Sequence, residues 1–465
     1  MEQICQWIDD HKDEMIQTLR RWVAIPSIKG EAAEGAPFGK EARLALDTAL
    51  KDGQDMGFAV RDHEGYAGDI GMGPAGEDAL AILAHLDIVP VGDGWTVDPF
   101  TGVTDGERIL GRGTSDDKGP AVAALYAMKA VLESGIPLKR EVRLILGCDE
   151  ESGMEDMAYY RQHADMPKEG FSPDATYPVI NTEKGLLALR LKAAPAKGGL
   201  KVKKIAVGER HNVIPGKASA LIEGGEALCG HINSLAKDML VAVDAEMAEG
   251  GILLSAKGVA GHASMPENAK NALGELLLML RAIGVEGPLK ALADDIGSEY
   301  DGNSLGVFCQ DKTSGALTCN LGVLHYDDTG LYAEIDIRYP LLCNGGQIIQ
   351  TIKATLGEKF IVETIHFKGP HHVSPGSKLV AALLDAYHMQ TGRPRECIAI
   401  GGGTYARCLE EGVAFGALFP GETETAHQAD EYIMIDTLLQ NAKIFARAIL
   451  LLAGRKETDG YHAAG

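Results

Sequence analysis

Two short apolar runs constrain this chain more than anything else in it: residues 80–86 (LAILAHL) and 141–147 (EVRLILG). Each is short for a helix and lacks the alternation of a half-exposed strand. Each therefore reads as a strand buried on both faces, the habit of a parallel sheet. Between them, residues 120–132 repeat apolar side chains at helical spacing. Strand, helix, strand in that order predicts an α/β layer architecture. Both runs end on chemistry: His85 and Asp87 close the first, and Asp149, Glu150 and Glu151 follow the second. Open α/β sheets hold their ligands at that edge.

The helix between the runs opens from residues 111–120, GRGTSDDKGP. Asp116 and Asp117 thus stand in a tight loop at a helix N-terminus, where a carboxylate is favoured. A plain capping turn explains the loop equally well. Residues 71–76 (GMGPAG) match the dinucleotide pattern GxGxxG. Residues 79–86 read as a strand, however, where that fingerprint requires a helix, so a hairpin turn is expected. No Walker or GxSxG sequence is present.

Elsewhere, residues 1–60 read mainly as helix, with Ile4, Ile8, Met15, Leu19 and Val23 at helical intervals before Pro26, and a second helix over 40–56. Residues 58–72 read as strand and turn, and Asp174 stands just before a further strand within 171–180. The texture changes near residue 183. Residues 186–192 and 330–339 alternate apolar and polar side chains, as a half-exposed antiparallel sheet does, with helices over 268–283 and 347–356. From 377 the α/β texture returns: helix 377–391, a glycine loop at 401–403, strand 413–419 and helix 435–452. The pattern predicts an α/β domain of residues 1–182 and 371–465, interrupted by an inserted α+β domain of residues 183–370.

The net charge of −22 argues against nucleic acid and anionic membrane surfaces as partners. No apolar run approaches the ~20 residues of a spanning helix. The first residues, MEQICQWIDDHKDEM, lack the regions of a signal peptide. The 8 cysteines form no CxxC pair, which points to reduced thiols in a cytoplasmic protein.

Four separated places supply candidate ligands: His85, Asp116, Glu151 and Asp174, with His427 a fifth. Imidazole with carboxylate suits zinc, manganese or cobalt. Two metals fit if one carboxylate bridges, with Glu150 spare to move a proton. Taken singly, each acid also reads as surface and each histidine as a satisfied core residue.

Taken together, HLDIVP, GRGTSDDKGP, DEESG, SPDATYPV and AHQADE resemble the signature of the dinuclear-zinc exopeptidases, the family of aminoacylases, carboxypeptidase G-type enzymes and the peptidase V branch of Xaa-His dipeptidases. The wording is most similar to the peptidase V branch. The resemblance implies an α/β catalytic domain with a mixed central sheet and a lid resembling two joined ferredoxin-like halves. It implies two divalent ions, zinc by preference. Asp116 would bridge them, His85 and Asp174 would complete one site, and Glu151 and His427 the other. Glu150 would be the general base and acid, and Asp87 would orient the imidazole of His85. The Asp116–Asp117 peptide is expected to be cis. In the lid, Asn212 resembles a substrate-binding asparagine, His262 the residue that stabilises the oxyanion, and Arg338 the group that holds the substrate carboxylate. Gly401, Gly402, Gly403 and Thr404 resemble the glycine loop facing the substrate. The polar face of the strand carrying Arg338, with Tyr332, Glu334 and Asp336, is expected to be open to a ligand.

The implied activity is hydrolysis of unblocked dipeptides by a metal-bound hydroxide. The substrate's amino group is expected near acids, Asp117 or Asp149 among them. The enlarged lid implies a monomer. Deacylation of N-acyl amino acids, and metal-dependent peptide binding without catalysis, are the alternatives.

Overall fold

The computed structural model describes residues 1–76 and 78–455. The chain divides into two compact units: Met1–Asn181 with Val373–Ile398 and Gly403–Gly465, and Thr182–His372 with Ala399–Gly402.

In the first unit the sheet runs in the order Ala59–His63, Ala67–Met72, Val142–Gly147, Leu80–His85, Glu169–Ser172, Glu411–Phe415, Val179–Glu183. Its middle is parallel, and both flanks are antiparallel. Every residue of Leu80–His85 and Val142–Gly147 is buried, including Arg143, whose guanidinium pairs with Glu141 at 2.7 Å. The helices Lys118–Glu133 and Ile435–Ala453 pack together and are apolar around most of their circumference, so the core lies between them and the sheet.

The register sets the site. His85 pairs with Gly147, and the Leu86 amide donates to the Gly147 carbonyl at 2.9 Å. Asp87 therefore stands level with residues 149–151. One expectation is corrected here. Residues 71–76 do not turn a hairpin, because Val142–Gly147 inserts between Ala67–Met72 and Leu80–His85. Gly73 sits at φ +90°, and a Cβ there would lie 2.8 Å from the Arg140 carbonyl oxygen, so the connection hugs the inserted strand's approach.

The second unit is built on one antiparallel sheet, ordered Val243–Ala248, Gly251–Lys257, Lys217–Ile222, Val202–Val207, Thr318–Asp327, Gly330–Tyr339, Gly185–Ala193, Ile361–Lys368. Leu187, Leu189, Leu191, Ala333, Ile335 and Ile337 join the apolar cluster with the helices Glu226–Met239, Ala272–Ala282, Gly287–Asp295 and Gly345–Leu356.

Two further expectations are corrected. The alternate face of Gly330–Tyr339 is not open: Glu334, Asp336 and Arg338 are all buried. Burial is tolerated because Arg190 pairs with Glu334 at 2.9 Å and Arg338 with Asp336 at 2.6 Å. Nor are all the cysteines reduced, since Cys309 and Cys343 form a disulfide. The Leu341 amide bonds Ser314 Oγ and the Leu342 amide bonds Asp311 Oδ2, which folds the two cysteine-bearing turns together. No helix among the described residues is long and apolar enough to cross a membrane.

Candidate active site

Five potential metal ligands separated in sequence converge at the strand ends of the first unit. His85, Asp116 and Asp174 form one group of potential metal ligands, and Asp116, Glu151 and His427 form another, with the donor atoms of each within 4.8 Å of one another. Asp116 belongs to both. Its Oδ1 lies 2.9 Å from His85 Nε2, and its Oδ2 lies 3.0 Å from His427 Nε2. Asp174 Oδ2 is 3.7 Å from His85 Nε2, and Glu151 Oε1 is 2.8 Å from His427 Nε2. The Asp116–Asp117 peptide is cis.

The charges here do not balance. Burial works against an ionised Asp116, but hydrogen bonds from His427 and His85 outweigh it and hold its carboxyl far below the usual range. Burial likewise opposes a charged His427, yet Asp116 and Glu151 push its pKa up to about 10. Burial pushes the Glu150, Glu151 and Asp174 carboxyls up, and neighbouring carboxylates push each further, Asp116 among them. Carboxylates outnumber imidazoles, and one carboxylate turns an oxygen toward each group of potential ligands. Such a hard, anionic donor set with two imidazoles fits divalent cations.

The sequence matches the description "Peptidase family M20/M25/M40" over residues 81–451. The chain belongs to this peptidase family. It is 38% identical over 457 residues to YtjP of Bacillus subtilis (strain 168), a protein named provisionally as a dipeptidase, covering 95% of this chain and 98% of that one. It is 34% identical over 458 residues to the "Beta-Ala-Xaa dipeptidase" of Lactobacillus delbrueckii subsp. lactis, covering 96% and 97%. Among solved structures, Dug1p from Saccharomyces cerevisiae shares the fold with a TM-score of 0.60 at 14% identity, covering 97% and 98% of the chains. Human carnosine dipeptidase 1 does so with 0.57 at 16%, covering 97% and 99%. The family read from the motifs is thus the family found, and the chain is a hydrolase of the M20 class.

In this M20 peptidase the candidate ligands are backed by buried carboxylates that accept backbone N–H groups. Asp117 is placed as a helix cap but makes no cap bond; its Oδ2 instead accepts the His85 amide at 3.1 Å. Asp87 Oδ1 and Oδ2 accept the amides of Glu150 and Glu151 at 3.2 and 3.1 Å. His85 Nδ1 bonds the Asp87 carbonyl at 2.9 Å, with the Asp87 carboxylate 3.4 Å away. The imidazole is therefore oriented by the main chain of Asp87 as well as by its side chain. Asp156 Oδ2 accepts the amides of Cys148 and Asp149 at 2.7 and 2.8 Å and the Tyr405 hydroxyl. Glu431 Oε1 accepts the amides of Gly113, Ser115 and Asp116. Sequence reasoning missed Asp156 and Glu431. The only signal for Glu431 was its place four residues past His427 in AHQADE.

Neither acid expected near the substrate amine is presented to it. Asp117 is buried against the His85 amide, and Asp149 is buried with Lys29 Nζ at 2.7 Å.

Within the second unit, Val213 pairs with His262 and the Asn212 carbonyl accepts the Ala263 amide, so Asn212 and His262 share one short ladder. His262 Nδ1 accepts the Ser264 amide at 3.2 Å and lies 2.6 Å from Ser264 Oγ, which places the proton of a neutral ring on Nε2. Arg338 Nη1 donates to the Gly401 carbonyl at 2.9 Å. A Cβ on Gly401 would lie 2.8 Å from that of Ser264, so these parts meet closely. A Cβ built on Gly402 would make ordinary contact with Ile400 at 3.6 Å. In the first unit, a Cβ on Gly403 would press on the Arg407 guanidinium at 3.2 Å, and Thr404 Oγ1 accepts the Ala406 amide at 3.1 Å, capping the turn Tyr405–Cys408.

Proposed function

We propose that the chain is a dipeptidase that hydrolyses unblocked dipeptides with two divalent cations, one held by His85, Asp116 and Asp174 and the other by Asp116, Glu151 and His427. Zinc suits the donors best, with manganese and cobalt as alternatives. The reading is carried by Asp116, whose two oxygens each face a different ligand group. The relatives named as dipeptidases support it. Bound there, such a metal pair supplies Lewis acidity to a carbonyl and to a water molecule.

Glu150 takes the proton of the attacking water and gives it to the leaving amine, a transfer that needs a positioned carboxylate. Asp87 fixes its main chain for this. In the second unit His262 donates from Nε2 to the developing oxyanion. Arg338 binds the substrate carboxylate with its planar fork, and Asn212 binds the substrate. Gly401, Gly402, Gly403 and Thr404 form the loop that lets the peptide approach closely. The protein works in the cytoplasm as a monomer, without nucleic acid or membrane partners.

The test compares Ala-His, a β-Ala-Xaa dipeptide and N-acetylalanine as substrates, with zinc, manganese or cobalt added to chelator-treated protein. Metal-dependent cleavage of the dipeptides with N-acetylalanine untouched is the expected result. Cleavage of N-acetylalanine alone would make the protein a deacylase, and binding without cleavage a peptide-binding protein.

A further inference from the structure

We propose that Glu431 is a positioning residue that ties the two ligand-bearing arms of the metal centre together and thereby sets its metal affinity; this rests on the reading of Asp116 and His427 as ligands. Glu431 is fully buried. Its Oε1 collects the amides of Gly113 at 3.0 Å, Ser115 at 2.9 Å and Asp116 at 3.2 Å. Its Oε2 takes Arg112 Nη1 at 2.6 Å, and Arg112 in turn lies over the Trp95 ring. The Glu431 carbonyl accepts the Gly111 amide at 2.8 Å. One residue, through its carboxylate and its carbonyl, thus closes the loop 111–116 around itself and fixes the main chain of Asp116.

The same residue anchors the other arm. His427 and Asp430 both hold positive φ, 63° and 56°, a conformation that non-glycine residues keep only when surroundings impose it. Asp430 Oδ1 accepts the Thr96 amide at 2.8 Å and its Oδ2 the Thr96 hydroxyl at 3.0 Å. The segment 427–431 is therefore pinned at its end by two consecutive carboxylates. Asp430 holds it to residue 96, and Glu431 holds it to the Asp116 loop. Because Asp116 and His427 are ligands of the same group, releasing Glu431 lets their separation vary, and each metal must then order both arms. Outer partners that orient ligands are typically worth ~10–100-fold in metal affinity.

The experiment titrates zinc into chelator-stripped protein and records the metal-free Tm in parallel, for wild type, Glu431→Gln and Glu431→Asp. Glu431→Gln removes the charge that Arg112 needs and risks the fold. Glu431→Asp keeps that charge but shortens the reach to the three amides. Both variants are expected to bind zinc ~10–100-fold more weakly, with the metal-free Tm of Glu431→Asp close to wild type. Wild-type zinc affinity in Glu431→Asp, or loss of the metal-free fold in both variants, overturns the proposal. Wild type binding no zinc would instead overturn the reading of the site itself.

Discussion

Two clusters of charge, one in each unit, are built in opposite ways. On the polar face of Gly330–Tyr339, cations and anions match within the chain. Arg190 pairs with Glu334 and Arg338 with Asp336, while His211 lies 3.7 Å from Glu334 and 4.0 Å from Asp336. At the strand ends of the first unit, Asp116, Glu150, Glu151 and Asp174 crowd around only His85 and His427. A balanced cluster is complete as it stands and serves to hold a side chain in one pose. An unbalanced one is able to take cations from outside, which would offset the desolvation of its acids. Behind it, Asp87, Asp156 and Glu431 accept backbone amides, and Asp117 accepts the His85 amide through Oδ2 while its buried Oδ1 meets no hydrogen-bond partner among the described residues.

The largest effect is expected where the imbalance is concentrated. Asp116→Ala removes the one acid common to both ligand groups. Metal analysis of the purified variant should find neither ion retained after dialysis, and dipeptide hydrolysis should fall to background. Two ions held as tightly as in wild type would show that the convergence around Asp116 is not a bridged site.

Next comes Glu150→Gln, which keeps size and removes the base while leaving every ligand in place. Metal content should equal wild type, and kcat should fall ~10²–10⁴-fold, the range of a positioned acid–base group. Turnover near wild type would move the proton transfer to another carboxylate of the cluster.

The comparison also shows what a linear sequence can and cannot carry. Residues 80–86 and 141–147 were legible as buried strands because burial on both faces leaves a mostly apolar run without alternation, interrupted in the second only by the paired Glu141 and Arg143. The long helices over Lys118–Glu133 and Ile435–Ala453 were legible through their spacing. The insertion of Val142–Gly147 between Ala67–Met72 and Leu80–His85 was not, because strand order is a non-local pairing that no window of sequence records. Helices Glu226–Met239 and Gly287–Asp295 were missed where the apolar stripe is short. The residues that converge were readable because His85 ends a strand, Glu151 follows one and Asp116 precedes a helix, each within a distinctive word. Glu431 and Asp156 were not, because an acid that accepts backbone amides has the same letter as one on the surface. The Cys309–Cys343 pairing was hidden for a similar reason: it depends on two turns meeting through Ser314 and Asp311.

The smallest effects belong to the balanced face, and they separate holding a ligand from holding the residue that holds it. Asp336 grips Arg338 through Nε at 2.6 Å and Nη2 at 2.9 Å, while Nη1 reaches the Gly401 carbonyl. The guanidinium is thus held in one pose by Asp336 and the Gly401 carbonyl. Arg338→Ala deletes a charge-assisted contact worth about 1.5–3 kcal/mol, so KM for a dipeptide should rise ~10–10²-fold. KM for its C-terminal amide, which offers no carboxylate, should change little. Asp336→Asn leaves the guanidinium charged and present but replaces the bidentate acceptor with one oxygen. Its KM for the dipeptide should rise by only a few-fold, in the same substrate-selective way, with kcat held. Measuring KM and kcat for both substrates in both variants decides the matter. If Asp336→Asn lowers kcat on dipeptide and amide alike, the pair is holding the sheet rather than aiming the clamp. Equal losses on dipeptide and amide in Arg338→Ala would remove the clamp itself, and with it the main chemical reason for a substrate that ends one residue past the scissile bond.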